Sequence, residues 1–371
     1  MNITVINRLM GIRYGGGENF DLCTAKELEK QGHKVRVIAG RRLKKIDVPI
    51  QEIETYYISS PYLRWIDYKL QDKNIVLKII SKSAFLSDLL MFQVVVYYHL
   101  LNDEWTDIYQ ICGLARLGSW LEKKGRPCVI YFPGPPRKIL AKYINQCSAS
   151  SSCGSAYKDL SIIAPNAINI SPGVDIDFFF PDFRKRNTDK VTITFVGRLI
   201  NVKNLPFLIR CFNKVYHNNP KTQLRIIGEG DLYQQLKQMV QSDITFTGFK
   251  KGVNLLDEYQ KSDIFVIPSR YESYSMVTLE AMACALPIIA SNVGYLPKIV
   301  KDNGILVASD NDTELVHALS VLINNKDKRN EMGHKSRYYA ISHYSWQKSV
   351  KQIEEIYSRI LKNKKHNNKA K

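Results

Sequence analysis

The sequence has no uninterrupted apolar run that could span a membrane and no pair of cysteines in a CxxC arrangement. A membrane helix needs roughly 18 or more consecutive apolar residues, so the sequence predicts no membrane span. Residues 1–11, MNITVINRLMG, have the pattern of a strand and not of a signal peptide, and we expect a cytoplasmic protein. The seven cysteines lack metal-ligand spacing and a Cys/His nucleophile arrangement, which predicts free thiols in a reduced compartment.

Acidic residues are few, with 35 Asp and Glu against 53 Lys and Arg and a formal net charge of +18. The excess is uneven: residues 1–182 hold 23 basic and 18 acidic residues, and residues 183–371 hold 30 and 17. No nucleic-acid-binding motif accompanies the charge, so nucleic acid is not the expected partner. Residues 362–371, KNKKHNNKAK, predict a disordered basic tail.

One basic cluster stands out because no acidic residue interrupts residues 30–46. It could contact the anionic lipid headgroups of a membrane surface, or it could be a solvated basic face. Its members are Lys34, Arg36, Arg41, Arg42, Lys44 and Lys45.

The chain is longer than one hydrophobic core usually supports, which favours two domains. Each half opens with a strand, a turn, a helix and a second strand, at residues 3–38 and again at residues 191–227. This repeat predicts an α/β protein with two doubly wound, Rossmann-like domains that face each other across a cleft. The polar residues 182–190 predict the linker, and the serine-rich residues 147–158 predict a mobile loop.

The cleft is expected at the carboxyl ends of the parallel strands. The glycines at 15–17 let backbone amides approach a ligand at a helix N-terminus, and the proline-rich loop 133–137, with Gly134 and Arg137, is rigid. In the second domain the cleft is lined by residues 198–203 and 272–277.

Two glutamates separated by seven residues, Glu272 and Glu280, lie in the run DIFVIPSRYESYSMVTLEAMACALPIIASNVGYLPKIV. Glu272 precedes a predicted helix and Glu280 lies one turn inside it. The amides of Ser275, Met276 and Val277 and the helix dipole favour an anion, whereas carboxylates accept hydrogen bonds from hydroxyl groups. Hydroxyl-rich groups on both sides of a diphosphate describe a nucleotide sugar, although two glutamates at a helix start also occur on ordinary surfaces.

Arg198 and Lys203 follow the first strand of the second half, five residues apart. Two cations at the carboxyl end of a strand could bind the diphosphate from the side opposite the helix amides.

Five segments of the second half resemble the successive motifs of the retaining, nucleotide-sugar-dependent glycosyltransferases of family 4. They are FVGRLINVKN, IIGEGDLYQQL, ITFTGF, DIFVIPSRYESYSMVTLEAMACALPIIAS and GILV. The first half resembles the family more loosely, through GGGENFDLCTAKELEKQGHKVRVIAG and GVDIDFFFP, and residues 45–160 have no clear match. The resemblance implies the GT-B fold, with an acceptor-side domain over 1–182, a donor domain over 183–345, and a helix over 346–361 that packs on the first domain.

The resemblance also implies roles for the candidate residues. Arg198 and Lys203 would bind the donor diphosphate, Glu272 would face the hydroxyls of the transferred sugar, and these are the catalytic candidates. The donor-binding candidates are Glu280 on the ribose, the amides of Ser275, Met276 and Val277, and the glycine loop at Gly16 and Gly17. Gly134 and Arg137 are the acceptor-side candidates, and no metal or other cofactor is expected.

The sequence departs from the family where histidines are usual, because Gln110, Cys112 and Pro133 occupy those places. In the front-face mechanism attributed to the family, the leaving phosphate can accept the proton of the acceptor, so transfer does not require the histidine.

The resemblance therefore implies an enzyme that transfers a hexosyl group, with retention, from a nucleoside diphosphate sugar to an acceptor hydroxyl. The expected process is synthesis of a cell-surface polysaccharide or lipid-linked glycan, in the cytoplasm or at the inner face of the membrane. Two alternatives stay open: a sugar-nucleotide epimerase of the same fold, and a non-catalytic basic protein that binds nucleic acid or a membrane.

Overall fold

The computed structural model describes residues 1–10, 16–41, 53–59, 75–186 and 189–369. The chain forms two compact units. Unit 1 consists of Met1–Ser171 together with Val350–Lys371, and unit 2 consists of Pro172–Ser349. Unit 2 is therefore inserted into the chain of unit 1, which is built from two separate stretches.

The described part of unit 1 contains a seven-stranded parallel sheet of order β3-β2-β1-β4-β5-β6-β7. The strands are β1 (Asn2–Asn7), β2 (Lys34–Arg41), β3 (Thr55–Ser59), β4 (Ile108–Cys112), β5 (Cys128–Phe132), β6 (Ala149–Ser152) and β7 (Ile168–Asn169). The helices are α1 (Gly16–Lys30), α2 (Ile75–His99), α3 (Ala115–Glu122), α4 (Ala141–Ile144) and α5 (Gly154–Ile163).

Strand order reverses in the middle of this sheet. The chain moves outward from β1 to β2 and β3, and then returns to place β4 on the other side of β1. Connections that leave neighbouring strands in opposite directions open a crevice at the carboxyl ends of those strands. The carboxyl ends of β1 and β4 therefore lie next to each other, and α1 and α3 are the next described helices after these two strands.

Unit 2 contains a six-stranded parallel sheet of order β10-β9-β8-β11-β12-β13. Its strands are β8 (Val191–Val196), β9 (Thr222–Ile227), β10 (Ile244–Gly248), β11 (Ile264–Ile267), β12 (Ile288–Ser291) and β13 (Gly304–Val307). Its helices are α6 (Leu205–Asn218), α7 (Tyr233–Gln238), α8 (Val253–Gln260), α9 (Met276–Ala283), α10 (Leu296–Ile299), α11 (Asp312–Asn324) and α12 (Lys326–His343). Helix α13 (Trp346–Lys369) returns to unit 1.

The two central strands of unit 2 are short apolar runs that are buried on both faces. All four residues of β11 and five of the six residues of β8 are buried, as expected of a parallel sheet covered by helices on both sides. Because the strand order reverses between β8 and β11, the loop at 197–203 and the loop at 268–275 share one edge of the sheet. The fold of two parallel α/β sheets agrees with the prediction.

The chain enters and leaves unit 2 at one place. The Val174 amide donates to the Tyr344 carbonyl over 2.7 Å, and the Trp346 amide donates to the Val174 carbonyl over 3.2 Å. Arg337 fixes the following residues by donating to the carbonyls of Ile176 and Phe179. These contacts assign residues 172–181 to unit 2, and the sequence-based domain limits at 182 and 345 stay a prediction.

The serine-rich residues 147–158 are not the predicted mobile loop. They form the buried strand β6 and the first half of α5. The serines suit a strand interior because their hydroxyls find partners there: Ser152 Oγ donates to the Phe132 carbonyl over 2.6 Å, and Ser151 Oγ to the Ile130 carbonyl. A satisfied hydroxyl loses little on burial, which composition alone does not reveal.

The predicted disordered tail is helical up to Lys369, the last described residue of α13. This stretch contains neither proline nor glycine to end the helix. The predicted basic cluster is described only in part, because Arg42, Lys44, Lys45 and the side chain of Arg41 lie outside the described residues.

Candidate functional site

Glu272 is held in the loop that follows β11, with only 7% of its surface exposed. Its Oε1 atom accepts a hydrogen bond from Ser269 Oγ over 2.9 Å, and the same oxygen forms an ion pair with Lys203 Nζ. A buried carboxylate needs both a cation and hydrogen-bond donors, and this one has both. The structure thus brings two of the predicted site residues, Lys203 and Glu272, into direct contact.

The backbone of Glu272 is fixed as tightly as its side chain. The Tyr295 amide donates to the Glu272 carbonyl over 3.2 Å. Gly294, with a φ of 57°, packs so closely that a Cβ atom would overlap that carbonyl oxygen. Only glycine fits both the left-handed conformation and the space, so the loop after β12 sets the position of Glu272.

Lys203 ends a short 3₁₀ turn, Asn201–Lys203, in the loop that follows β8. The neighbouring strands β8 and β11 pair at Ile193 and Ile264, so the loops after them meet at the reversal of strand order. This topology explains why residues 69 positions apart in the chain form an ion pair.

Arg198 lies at the same edge of the sheet, directly after Gly197. Its side chain is exposed, and no ion pair involving it is recorded in the part of the chain that the structure describes. A guanidinium in this position can form bidentate hydrogen bonds to an anionic ligand.

Helix α9 begins four residues after Glu272, and no described side chain caps its first backbone amides. Ser275 is the N-cap residue, but its hydroxyl accepts a hydrogen bond from Thr278 Oγ1 over 2.8 Å and does not cap a backbone amide. Among the described residues, no acceptor is recorded for the amides of Ser275, Met276 and Val277. Free amides and the positive end of the helix dipole make this terminus suitable for a phosphate.

Glu280 lies inside α9, where Tyr259 of α8 donates to Glu280 Oε2 over 2.8 Å. Burial raises the pKa of Glu280 to about 7, and the hydrogen bond from Tyr259 opposes that rise. Tyr259 is completely buried and contacts the rings of Phe179 and Phe265. The sequence did not identify Tyr259 as part of the site. The sequence shows only an aromatic residue on a helix before a strand, which is also typical of an ordinary core residue.

A second polar cluster braces the loops that carry Lys203 and Glu272. The Arg270 amide donates to the Val202 carbonyl over 2.9 Å, and its guanidinium donates to both carboxylate oxygens of Asp310, over 2.8 and 3.0 Å. Asn204 Nδ2 also donates to Asp310, over 2.9 Å. The hydrogen bonds from Arg270 lower the pKa of Asp310 to about 2. Sequence reasoning missed this cluster, whose members come from three different loops.

In unit 1, Gly16 and Gly17 form the start of α1, and Gly15 lies outside the described residues. A Cβ atom on Gly17 would come within 2.9 Å of the Pro133 side chain and 3.6 Å of Cys112 Sγ. The structure therefore brings the glycine loop together with two of the three residues that occupy the family's histidine positions.

Gln110 occupies the third histidine position and belongs to a buried network. It donates to Asp21 Oδ1 over 2.6 Å and accepts a hydrogen bond from the Tyr357 hydroxyl of α13, while Asn7 donates to Asp21 Oδ2 over 2.7 Å. Burial raises the pKa of Asp21 to about 7. With 2% of its surface exposed, Gln110 serves the interior and does not replace a substrate-binding histidine.

The loop after β5 presents Gly134 and Arg137 at the same edge of unit 1. Gly134 is half-buried and Arg137 is exposed, immediately before a 3₁₀ turn at Lys138–Leu140.

Within the described residues, no group of three or more His, Cys, Asp or Glu side chains could hold a metal ion. No described helix is both long and apolar enough to cross a membrane.

Residues 177–339 match the family model of glycosyl transferases group 1. The chain is 32% identical over 176 residues to an uncharacterised glycosyltransferase of Methanocaldococcus jannaschii. This match covers 46% of this chain and 45% of the relative. It is 30% identical over 221 residues to a D-inositol 3-phosphate glycosyltransferase of Corynebacterium aurimucosum. That match covers 52% of this chain and 51% of the relative. The chain spans about half the length of these curated relatives.

Solved structures resemble the chain over nearly its whole length. Sucrose-phosphate synthase of Thermosynechococcus elongatus has a TM-score of 0.78 at 17% identity, covering 98% of this chain and 99% of that one. HepE of Anabaena, solved in complex with UDP, has a TM-score of 0.75 at 15% identity, covering 97% and 100%. Likenesses at these identities concern the fold. Residues 177–339 therefore resemble the group 1 glycosyltransferases, and the two parallel sheets have the GT-B fold.

Proposed function

We propose that this chain is a retaining glycosyltransferase that moves a hexosyl group from a nucleoside diphosphate sugar to an acceptor hydroxyl. The observation that supports this most is the Lys203–Glu272 ion pair at the reversal of strand order in unit 2. It sets an ammonium group that can bind phosphate beside a carboxylate that can bind sugar hydroxyls. A donor with a diphosphate and a sugar requires both groups at one place.

Unit 2 would hold the donor. Arg198 and Lys203 bind the diphosphate from one side, and the amides of Ser275, Met276 and Val277 bind it from the other. Glu280 accepts hydrogen bonds from the ribose hydroxyls. Because these cations and amides together offset the negative charge of the diphosphate, donor binding would not require a metal ion.

In the proposed reaction the bond between the anomeric carbon and the β-phosphate oxygen breaks, and the acceptor oxygen bonds to the anomeric carbon on the same face. The acceptor proton passes to the departing phosphate oxygen, so the products are the glycoside and a nucleoside diphosphate. Lys203 stabilises the growing negative charge on that phosphate. Glu272 orients the hydroxyls of the transferred sugar.

The acceptor would bind to unit 1 at the loop with Gly134 and Arg137, and we propose a cell-surface polysaccharide or lipid-linked glycan as the product. Contact with the membrane surface is supported by the outward side of α2, where large apolar side chains are exposed by 40–67%. They are Leu86, Leu90, Met91, Val95 and Tyr98. Exposed apolar patches of this kind mark interaction sites. Arg36 does not support a lipid-binding basic cluster, since it forms an ion pair with Asp103.

The direct test incubates the purified chain with a panel of nucleoside diphosphate sugars, with and without saccharide acceptors, and measures release of nucleoside diphosphate. We expect donor-specific release that increases with acceptor, and an α-linked product from an α-linked donor. A chain that neither binds nor turns over any donor is not a glycosyltransferase. Conversion of the donor sugar without an acceptor would identify an epimerase instead.

A further inference from the structure

Two neighbouring segments at the carboxyl edge of the unit 1 sheet contain basic residues and no acidic residue. Residues 113–121 follow β4 and residues 133–147 follow β5, and these two strands are paired. Together the segments contribute four cations: Arg116, Arg137, Lys138 and Lys142. The first acidic residue after residues 113–121 is Glu122, at the other end of α3. Its carboxylate accepts hydrogen bonds from the amides of Cys128 and Ser148.

The two segments are in contact through one aromatic ring. The guanidinium of Arg116 lies 5.4 Å from the centre of the Tyr143 ring, and the ammonium of Lys142 lies 5.0 Å from it. A contact with a ring face does not neutralise a cation, so both charges can still pair with a bound anion. In the described part of the chain, no ion pair is recorded for any of the four cations.

The same edge also exposes an apolar side chain. Ile139 is 74% exposed, although it directly follows the exposed cations Arg137 and Lys138. The prolines at 133, 135 and 136 fix the backbone that carries these residues. An anionic group with an apolar group beside it would match this surface better than a neutral sugar does.

We infer that this surface binds the acceptor through a phosphate or diphosphate ester, so that the acceptor is a phosphorylated saccharide. The inference rests on the proposed function, which assigns the acceptor to this edge of unit 1. Two sources share the chemistry: a saccharide joined by diphosphate to a lipid, and a soluble sugar phosphate. Ile139 favours the lipid-linked source, because a soluble sugar phosphate offers it no apolar partner.

The test uses calorimetric titration of the full chain with farnesyl diphosphate, glucose 6-phosphate and farnesol. Each titration is run with and without saturating nucleoside diphosphate, which fills the donor site and prevents the diphosphate probe from binding there. Wild-type protein is compared with R137E/K138E, whose side chains are exposed, and with K123E/K124E. The latter reverses two exposed lysines at the opposite end of α3 and is the matched control.

We expect the phosphorylated probes to bind the wild-type chain and farnesol not to bind. R137E/K138E should weaken that binding by at least about 10-fold, while K123E/K124E changes it by less than about 2-fold. Binding should weaken as salt increases. Tighter binding of farnesyl diphosphate than of glucose 6-phosphate supports the lipid-linked source, and the reverse order supports the soluble one.

The inference is overturned if neither phosphorylated probe binds, or if the two double variants bind them equally. It is also overturned if farnesol binds as tightly as farnesyl diphosphate. Failure of the proposed function has a separate signature, since a chain that binds and turns over no nucleotide sugar can be recognised without any acceptor probe.

Discussion

The hydroxyl of Tyr259 donates to the carboxyl of Glu280 over 2.8 Å, in a partly buried hydrogen bond between α8 and α9. The same hydroxyl lies 3.3 Å from the Val277 carbonyl. One proton cannot serve both acceptors fully, so the bond to Glu280 depends on the protonation of that carboxyl. Donation by Tyr259 favours the ionised form, which is the form that accepts hydrogen bonds from two ribose hydroxyls.

Tyr259→Phe should therefore weaken binding of the nucleoside diphosphate in a pH-dependent way. Without the donor, the pKa of Glu280 rises further above about 7, and more of the carboxyl is protonated at neutral pH. We expect affinity to fall by about 10-fold at pH 7 and to recover in part at higher pH. Calorimetry between pH 6 and 9 measures this, with Tyr216→Phe on α6 as the control. Equal pH profiles for all three proteins would contradict the assignment of Tyr259.

Asp21 makes the stability of unit 1 depend on pH. Its pKa is near its ordinary value of about 3.9 in the unfolded chain and about 7 in the fold. The folded state therefore holds the proton more tightly. The stability contributed by that proton is fully present below about pH 4 and is lost as the pH rises to about 7.

Asp21→Asn should remove this pH dependence. Melting temperatures between pH 4.5 and 8 should fall less steeply with pH in the variant than in the wild-type chain. Asp159→Asn, an exposed change on α5 of the same unit, should leave the wild-type slope unchanged. Parallel slopes for wild type and Asp21→Asn would show that this carboxyl does not bind a proton on folding.

Gly294→Ala tests whether the loop after β12 positions Glu272. The new methyl group would overlap the Glu272 carbonyl and would sit at a φ of 57°, so we expect turnover to fall by about 100-fold or more. Gly252→Ala imposes a similar φ of 55° with no atom within 4 Å, and it should cost only about 1 kcal/mol of stability. Comparable kinetic losses in both variants would mean that backbone strain, and not displacement of Glu272, is responsible.

The ion pair between Lys203 and Glu272 can be tested by a double-mutant cycle. Lys203→Met leaves a buried carboxylate without its cation and should destabilise the chain by about 3–5 kcal/mol. Adding Glu272→Gln should restore much of that stability, yet donor binding should stay weak because the ammonium is missing. Urea unfolding and calorimetry measure the two effects. Lys214→Met, which breaks the more exposed pair with Asp312, should cost less than about 1 kcal/mol.

Ala285→Gly should stabilise unit 2. Ala285 follows α9 in the left-handed conformation, with a φ of 56°, and glycine adopts this conformation without the cost of about 1 kcal/mol that alanine carries. Ala281→Gly, the same change inside α9, should destabilise by a similar amount. Urea unfolding of the two variants should therefore give shifts of opposite sign.

The strand–helix alternation and the two glutamates were predictable because they depend on short-range patterns. Apolar runs such as β11 and the proline after it mark a buried strand, and the segment after it has the composition of a helix. The reversal of strand order then explains why Lys203 and Glu272 meet, although the ion pair itself is a long-range contact that no local pattern encodes.

The residues that support the site were not predictable in this way. Tyr259, Asp310 and Gly294 each contact a residue that lies more than 20 positions away along the chain. All three residue types also occur in ordinary loops and helices. Ser152 misled the prediction for the opposite reason, since its partner on β5 is invisible to composition. Local sequence thus indicated which loops bear the candidate residues, and tertiary contacts decided how those residues are held.

The insertion of unit 2 into unit 1 has a consequence for synthesis on the ribosome. Residues 172–349 are complete before residues 350–369 of α13 are made, so unit 2 can fold while unit 1 still lacks most of α13. The hydroxyl of Tyr357 reaches Gln110 and, through it, Asp21 only after all of unit 2 has been made. The strands of unit 1 are therefore made first, and its interior is completed only after unit 2 has been synthesised.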